Sequence, residues 1–308
     1  MAQHNYFTVV ELSQERKEKY RELESRIGNT PLIRYVGDVP NGNTVWIKRE
    51  CDNPFGSHYD RVYLALYRHW EENRGLEPGM KVLETTSGSA GVSFAGIGRE
   101  LGYTCYVMIP EGPQLQKRRE AIEEQGARLI LTPEDEYING FPSRVRRYIS
   151  ELNARFLNHS MGRRGTNNEV TLHSLEAIAR EALAETPIDV YVGGVGNGSS
   201  IAGPGRVFRE HGVRIIGYKP SESGKSELPG LINQEGLDPS VVIPFPHIDE
   251  ANRIMDKVVA VSGHERGIEN HEDIGKTGRA GISVALDEAE RLEGKNLLVI
   301  GYDKMERY

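Results

Sequence analysis

Three short stretches of this 308-residue chain place chemically useful residue types at close spacing. The stretch "GGVGNGSS" at 193–200 follows the apolar run "DVYV" and opens a helical pattern. Backbone N–H groups there, with a helix N-terminus behind them, suit a phosphate or another anion. Gly194, Gly196 and Gly198 are spaced G-x-G-x-G, and Ser199 stands where a dinucleotide fingerprint requires its next glycine. The following strand, "RIIGYKP", carries Lys219 where an NAD site wants an acidic residue for the ribose, which argues against NAD. A tight strand-to-helix turn without a ligand is the plain alternative. The second stretch, "ETTSGSAG" at 84–91, offers the hydroxyls of Thr86, Ser87 and Ser89 at a helix start, which suits a carboxylate or serves as a simple N-cap. The third, "NPFGSHYDR" at 53–61, sets an imidazole, His58, beside a phenol, Tyr59. A phenol of ordinary pKa about 10 is a poor base at neutral pH, so Tyr59 needs a strong environmental shift or acts as an acid.

The elements around these stretches alternate between short β-branched runs and amphipathic segments, as strand, crossover helix and parallel strand do. "TVWIKRE", "KVLET", "TCYVMIP" and "ARLILT" read as strands. The segments "RVYLALYRHWEEN", "SAGVSFAGIGRELG" and "QLQKRREAIEEQG" read as helices between them, and "FPSRVRRYISELN" leads out of the first unit. The pattern resumes with the helix "NEVTLHSLEAIAREALAE", the strand "DVYVGG", the helix "SSIAGPGRVFREHG", the strand "RIIGYKP" and the closing strand "KNLLVIGYD". This predicts an α/β protein of two lobes. The smaller, N-terminal lobe covers 45–150 and carries the stretches at 53–61 and 84–91, while the larger lobe covers 1–44 plus 151–308 and carries the glycine-rich loop. In open parallel sheets a ligand lies at the carboxyl ends of strands, here in the cleft between the lobes.

The composition is that of an ordinary globular chain, 27% charged and 38% hydrophobic, and the net charge of −7 gives no reason to expect nucleic acid. No run of about 18 apolar residues appears, and the polar start "MAQHNYFTVVELSQERKEKY" lacks a signal-peptide core, so a cytoplasmic protein without membrane association is expected. Cys51 and Cys105 are too few for a disulfide framework or a zinc site, and no metal is expected.

Along the whole chain, "IGNTPLIRY" (27–35), "NPFGSHYDR", "ETTSGSAG", "GGVGNGSSIAG", "GIS" (281–283) and the closing "KMERY" resemble, in order, blocks of the cysteine synthase (O-acetylserine sulfhydrylase) group of fold-type II pyridoxal phosphate enzymes, relatives of cystathionine β-synthase and the tryptophan synthase β chain. The resemblance implies a tryptophan synthase β-like fold, two lobes each with a mostly parallel twisted sheet flanked by helices. It implies that Gly196, Asn197, Gly198, Ser199 and Ser200 hold the cofactor phosphate and that Ser283 meets the pyridine nitrogen. Thr86, Ser87 and Gly88 would bind a substrate α-carboxylate, His58 would lie near the phosphate, and the chain would form a homodimer.

The departures from that group bear on function. Tyr59 stands in the place of the Schiff-base lysine, so an internal aldimine cannot form there. Ser89 replaces an asparagine bonded to the cofactor ring oxygen, and Ala90 a threonine. "NHSMG" and "TLHSLE" replace a substrate-contacting glutamine and a T-G pair, which makes His159 and His173 candidate substrate-binding residues beside the candidate catalytic set Tyr59, His58 and Ser89. Lys48, Lys117, Lys219, Lys225 and Lys276 are the other lysines weighed, and none is assigned as a replacement. Three readings stay open. The first is a divergent enzyme on an amino acid or a small carboxylated or phosphorylated metabolite, with pyridoxal phosphate held noncovalently or absent. The second is a noncatalytic homologue that binds a ligand or partner, and the third a β-replacement enzyme using another lysine. An enzyme is favoured because the anion loop is retained.

Overall fold

The computed structural model describes residues 10–161, 166–222, 228, 230–233, 235, 245, 247–262 and 271–308. The chain opens with helix α1 (Gln14–Arg26), whose first turn is capped by the Ser13 side chain accepting from the Arg16 N–H, and strands β1 (Leu32–Arg34) and β2 (Thr44–Lys48) follow. Helix α2 (Tyr59–Arg74) begins at the end of the 53–61 stretch and stops at Gly75, which takes the left-handed conformation that glycine adopts without strain. The next units are β3 (Lys81–Thr85), α3 (Ala90–Glu100), β4 (Thr104–Pro110), α4 (Gln116–Glu124), β5 (Arg128–Thr132), α5 (Phe141–Leu152) and β6 (Ala154–Phe156). They are followed by α6 (Thr166–Glu185), β7 (Val190–Gly194), α7 (Ser199–Glu210), β8 (Arg214–Pro220), α8 (Ile248–Ile254), β9 (Lys257–Val261), α9 (Lys276–Ala289) and β10 (Asn296–Ile300).

The strands form two sheets, one in the order β1-β2-β10-β7-β8-β9 and one in the order β5-β4-β3-β6. Every pairing is parallel except that of β1 with β2. Parallel strands covered by helices on both faces read as unbroken apolar runs, and Val190, Tyr191, Val192, Ile215, Ile216 and Leu298 are buried accordingly. This is the α/β architecture expected from the sequence. The sheet membership differs at both boundaries drawn there. β2 lies in the larger sheet, in register with β10 from the far end of the chain, and β6 closes the smaller sheet beside β3. Both pairings are long-range, and local periodicity carries no information about them.

Two packing features hold the 53–61 stretch against both sheets. A Cβ on Gly96 of α3 would lie 2.2 Å from the Phe55 ring, so the small-residue face of α3 is what admits Phe55. Arg61 is clamped by carboxylates, with its guanidinium 2.7 Å from Glu50 and 2.6 Å from Glu181. Lys48, fully buried, adds an ion pair to Glu181 at 2.7 Å. No helix among the described residues is long and apolar enough to cross a membrane.

Candidate functional site

The carboxyl ends of β3, β7 and β10 open onto one cleft with about 910 Å³ of atom-free space, counting its mouth. Ligand pockets of roughly 300–1,000 Å³ are usual. The structure brings all three sequence stretches to this cleft. His58 and Tyr59 come from the start of α2, Thr86, Ser87, Gly88 and Ser89 from the β3–α3 loop, and Gly194, Gly196, Asn197 and Ser200 from the β7–α7 loop.

His58 occupies the residue before α2, with its ring 4.1 Å from that of Tyr59 and 5.1 Å, edge-on, from that of Tyr302. Burial, partly offset by nearby carboxylates, lowers its pKa to about 4, so the imidazole is neutral at pH 7. Its Nδ1 is buried without a partner. Burial pushes the Tyr59 phenol above its ordinary pKa, and Asn197 lies across the cleft wall from it. The phenol therefore keeps its proton at neutral pH.

In the β3–α3 loop the Thr86 hydroxyl accepts from the Gly88 N–H at 2.9 Å, a local turn that sharpens the approach to α3. The Ser89 hydroxyl donates to Asp303 rather than capping α3. Behind the loop lies Arg118, 1% exposed, donating from Nη1 to the Ser87 carbonyl at 2.9 Å and stacking 4.5 Å over the Tyr308 ring. Its Nη2 has no partner, so a buried positive charge stands behind a hydroxyl-rich loop and favours an anion there.

The β7–α7 loop is built differently from what its glycines suggest. A Cβ on Gly196 would lie 2.1 Å from the Gly230 carbonyl oxygen, and one on Gly198, whose φ is +91°, 2.7 Å from the His247 backbone. Close backbone packing alone requires both glycines, so their retention is not by itself a sign of a phosphate. The Asn197 side chain accepts from the Ser199 N–H at 2.9 Å, and the Gly194 N–H donates to the Tyr302 phenol at 2.9 Å. Helix α7 nevertheless starts at the cleft with no side-chain cap from Gly198, and Ser200 in its first turn lines the wall. Asn197 takes the Ser199 N–H, so what this helix start offers an anion is the turn around Ser200 and the positive end of the helix dipole.

Two expected site residues lie elsewhere. His173 sits on the outer face of α6 with its side chain 80% exposed and 3.3 Å from Glu176, because Leu172, Leu175 and Ala179 turn the opposite face inward. Ser283 is buried about two turns inside α9 and does not line the cleft, whereas Thr277 in the first turn of that helix does. Gly198 and Ser199 belong to the loop without reaching the cleft wall. His159 is buried on the cleft wall, edge-on to Tyr59 at 5.3 Å. The wall residues Arg118, Thr277, Tyr302 and Asp303 were missed from sequence. The rule that ligands sit at strand carboxyl ends points to Tyr302 and Asp303, which follow β10, and nothing in "QKRRE" singled out Arg118.

No lysine among the described residues lines the cleft. Lys48 is spent on Glu181 and on the Thr30 carbonyl, Lys219 pairs with Glu235 at 2.5 Å, Lys117 lines a separate surface groove, and Lys276 opens α9. Lys225 lies outside the described residues. Among the described residues, one group could hold a metal ion by spacing, Cys51 with Asp52 and Asp273, and Arg49 pairs with both of its carboxylates.

A mostly parallel, two-sheet α/β fold with its cleft at strand carboxyl ends and an anion-favouring helix start defines a class that comparison makes specific. The chain belongs to the family of pyridoxal-phosphate dependent enzymes, whose sequence pattern matches residues 23–298. It is 26% identical over 302 residues to a cysteine synthase of Staphylococcus aureus, covering 92% of this chain and 93% of that one. It is 32% identical over 222 residues to cysteine synthase B of Escherichia coli, covering 68% of each. Among solved structures, a cysteine synthase from Entamoeba histolytica matches with a TM-score of 0.77 and 25% identity over 97% of this chain and 92% of that one. The fold of O-ureido-L-serine synthase matches with a TM-score of 0.79 over 93% and 92%. Of what the family's cofactor needs, this chain offers a helix start suited to its phosphate and, among the described residues, no amine in the cleft to hold it covalently.

Proposed function

We propose that this protein is a divergent cysteine synthase-like enzyme that binds an amino acid, or a small carboxylated or phosphorylated metabolite, and acts on it without a covalent bond between residue 59 and a cofactor. The observation that carries the reading is the joining of the three loops into one cleft from which lysine is absent among the described residues. The first turn of α7 at Ser200 receives the phosphate of ligand or cofactor, and the Thr86–Ser89 loop, with Arg118 behind it, receives a carboxylate. Pyridoxal phosphate, when bound, supplies an electron sink for the amino acid's α-carbon. Held without a lysine, it would exchange on dialysis. Burial raises the Tyr59 phenol, which keeps its proton, and lowers the His58 pKa to about 4, so Tyr59 is no base at neutral pH and His58 is a weak one.

The reading is tested by the near-ultraviolet and visible spectrum of the protein with pyridoxal phosphate, before and after L-serine or O-acetyl-L-serine. Cofactor absorbance that is lost on dialysis and altered by the amino acid supports it. Absorbance that survives dialysis counts against it. The internal bonds of the β7–α7 loop, with Gly194 donating to Tyr302 and Asn197 accepting from Ser199, favour a second reading as a noncatalytic homologue. Binding without turnover of any amino acid tried would select that one. We further propose a cytoplasmic homodimer, and a monomer by light scattering at micromolar concentration would refute the dimer.

A further inference from the structure

We propose that His159 is the proton-accepting residue of this cleft and that Glu84, with Tyr63, is the positioning pair that makes it so. The inference rests on the reading of the cleft as a ligand site and deepens it by naming the group that takes a proton from the ligand.

Among the described residues two imidazoles reach the cleft wall, and they are set up differently. His58 has its Nδ1 buried without a partner, and burial, which nearby carboxylates offset only in part, holds its pKa near 4, so it is a weak base. His159 has its Nδ1 2.9 Å from the Tyr63 hydroxyl and 3.3 Å from Glu84 Oε2. Glu84, fully buried at the end of β3, is itself fixed by accepting the Thr85 N–H at 2.8 Å and the His159 N–H at 3.2 Å. Tyr63 is fully buried, and burial raises its phenol well above its ordinary pKa, so it keeps its proton.

These three groups admit one consistent pattern of donors. If Tyr63 donated to Nδ1, the Nδ1 lone pair would face the Glu84 carboxylate at 3.3 Å as acceptor against acceptor. With the proton on Nδ1, the imidazole donates to the Tyr63 oxygen at 2.9 Å and faces Glu84 Oε2 at 3.3 Å with its N–H, so donor meets acceptor on both sides. The proton on Nδ1 leaves the lone pair on Nε2, which has no partner among the described residues and is not among the buried unpaired atoms, and it therefore opens on the cleft. A carboxylate behind one ring nitrogen and a free lone pair on the other is the arrangement of a general base. In the step, a ligand hydroxyl, thiol or ammonium gives its proton to Nε2 and keeps the electron pair. The imidazolium so formed is stabilised by Glu84 and later returns the proton to the leaving group. The other titratable groups around the ring are Tyr59 and His58 at the start of α2 and His247, whose Nε2 is 3.5 Å from the His159 carbonyl. None of them is a carboxylate, and Glu84 is the negative charge that bonds the ring.

The test is two-bond ¹H–¹⁵N NMR of the full-length labelled protein at neutral pH, with His159 assigned through His159→Gln. The expected result is the Nδ1–H tautomer with an unprotonated Nε2, lost or mixed in Glu84→Gln and restored in Glu84→Asp, which keeps the carboxylate. A Nε2–H tautomer in the unmodified protein would overturn the proposal, as would a Glu84→Gln protein that folds and keeps the Nδ1–H form. Calorimetry and the same spectra with L-serine added separate this from the reading of the cleft. L-serine that binds and shifts the His159 Nε2 resonance supports both, and L-serine that binds without moving it overturns the role of His159. If L-serine does not bind, the amino-acid reading fails, and the ligand-free tautomer still decides the inference.

Discussion

Replacing Arg61 with methionine tests whether the cleft is held by charge. The guanidinium makes 2.7 and 2.9 Å bonds to Glu50 and 2.6 and 2.8 Å bonds to Glu181, with Glu50 fully buried and Glu181 17% exposed at the side chain. Methionine keeps much of the stem volume and removes the charge, which leaves Glu50 buried with a hydroxyl and an amide for company, Thr30 and Asn53. Removing one partner of a buried ion pair costs about 3–5 kcal/mol. Against a total stability of about 5–15 kcal/mol this is a large fraction, and urea unfolding at neutral pH should show it as a lower midpoint. The sign with pH follows from Glu50. In the native protein burial is the largest single effect and raises its pKa, but the Arg61 charge with the hydrogen bonds from Arg61 and Thr30 together lower it, so its contribution is present above the carboxylate's ordinary value and is lost as pH falls. In Arg61→Met the same carboxyl is raised, so the variant recovers stability relative to the native protein as pH falls toward 4. A variant within about 1 kcal/mol of the native protein at pH 7, or a deficit that does not shrink on acidification, would refute the account of how the 53–61 stretch is held.

Other perturbations bear on the remaining parts. Gly196→Ala places a Cβ 2.1 Å from the Gly230 carbonyl oxygen and should cost roughly 1–3 kcal/mol in chemical unfolding, and a neutral substitution would deny the close packing. Ser200→Asp puts a negative charge in the first turn of α7, which the helix tolerates and an anion does not. Inorganic phosphate affinity by calorimetry should fall at least about tenfold, and unchanged affinity would place the anion elsewhere. Burial chiefly lowers the His247 pKa from 6.5 to about 4, so its share of stability is full above pH 6.5 and is lost as pH falls toward 4. The native protein should lose roughly 3 kcal/mol more than His247→Phe across that window. Asp60, raised by burial to about 7, changes stability in the opposite direction but equally in both proteins, and parallel pH profiles would contradict the assignment.

The sequence made the α/β class legible because parallel strands buried on both faces leave unbroken β-branched runs such as "DVYVGG" and "RIIGYKP". The three cleft stretches were legible for a related reason, since each follows a strand whose carboxyl end must face the cleft. What failed was whatever depended on long-range placement or on reading a motif one turn out of register. β2 pairs with β10 across most of the chain. Ser283, expected at the pyridine nitrogen of the cofactor, is buried inside α9 off the cleft wall, and Thr277 in the first turn of that helix lines the cleft. His173 was taken into the cleft although the helical spacing of Leu172, Leu175 and Ala179 already placed it outside. The glycines at 196 and 198 were assigned to a ligand, and the structure gives them a neighbour in the backbone. The Glu84–His159–Tyr63 group was invisible because its members are 21, 75 and 96 residues apart in pairs, joined only by the fold.

The central claim is that the cleft of this pyridoxal-phosphate enzyme family member has no lysine that bonds the cofactor, and borohydride reduction after incubation with pyridoxal phosphate tests it most directly. Reduction fixes any Schiff base irreversibly, and peptide mass mapping then locates it. The account predicts no stoichiometric pyridoxyl group on any lysine and full recovery of unmodified protein after dialysis. A single pyridoxyl group at full occupancy on Lys225, Lys219, Lys48 or any other lysine would contradict it and return the protein to ordinary Schiff-base catalysis.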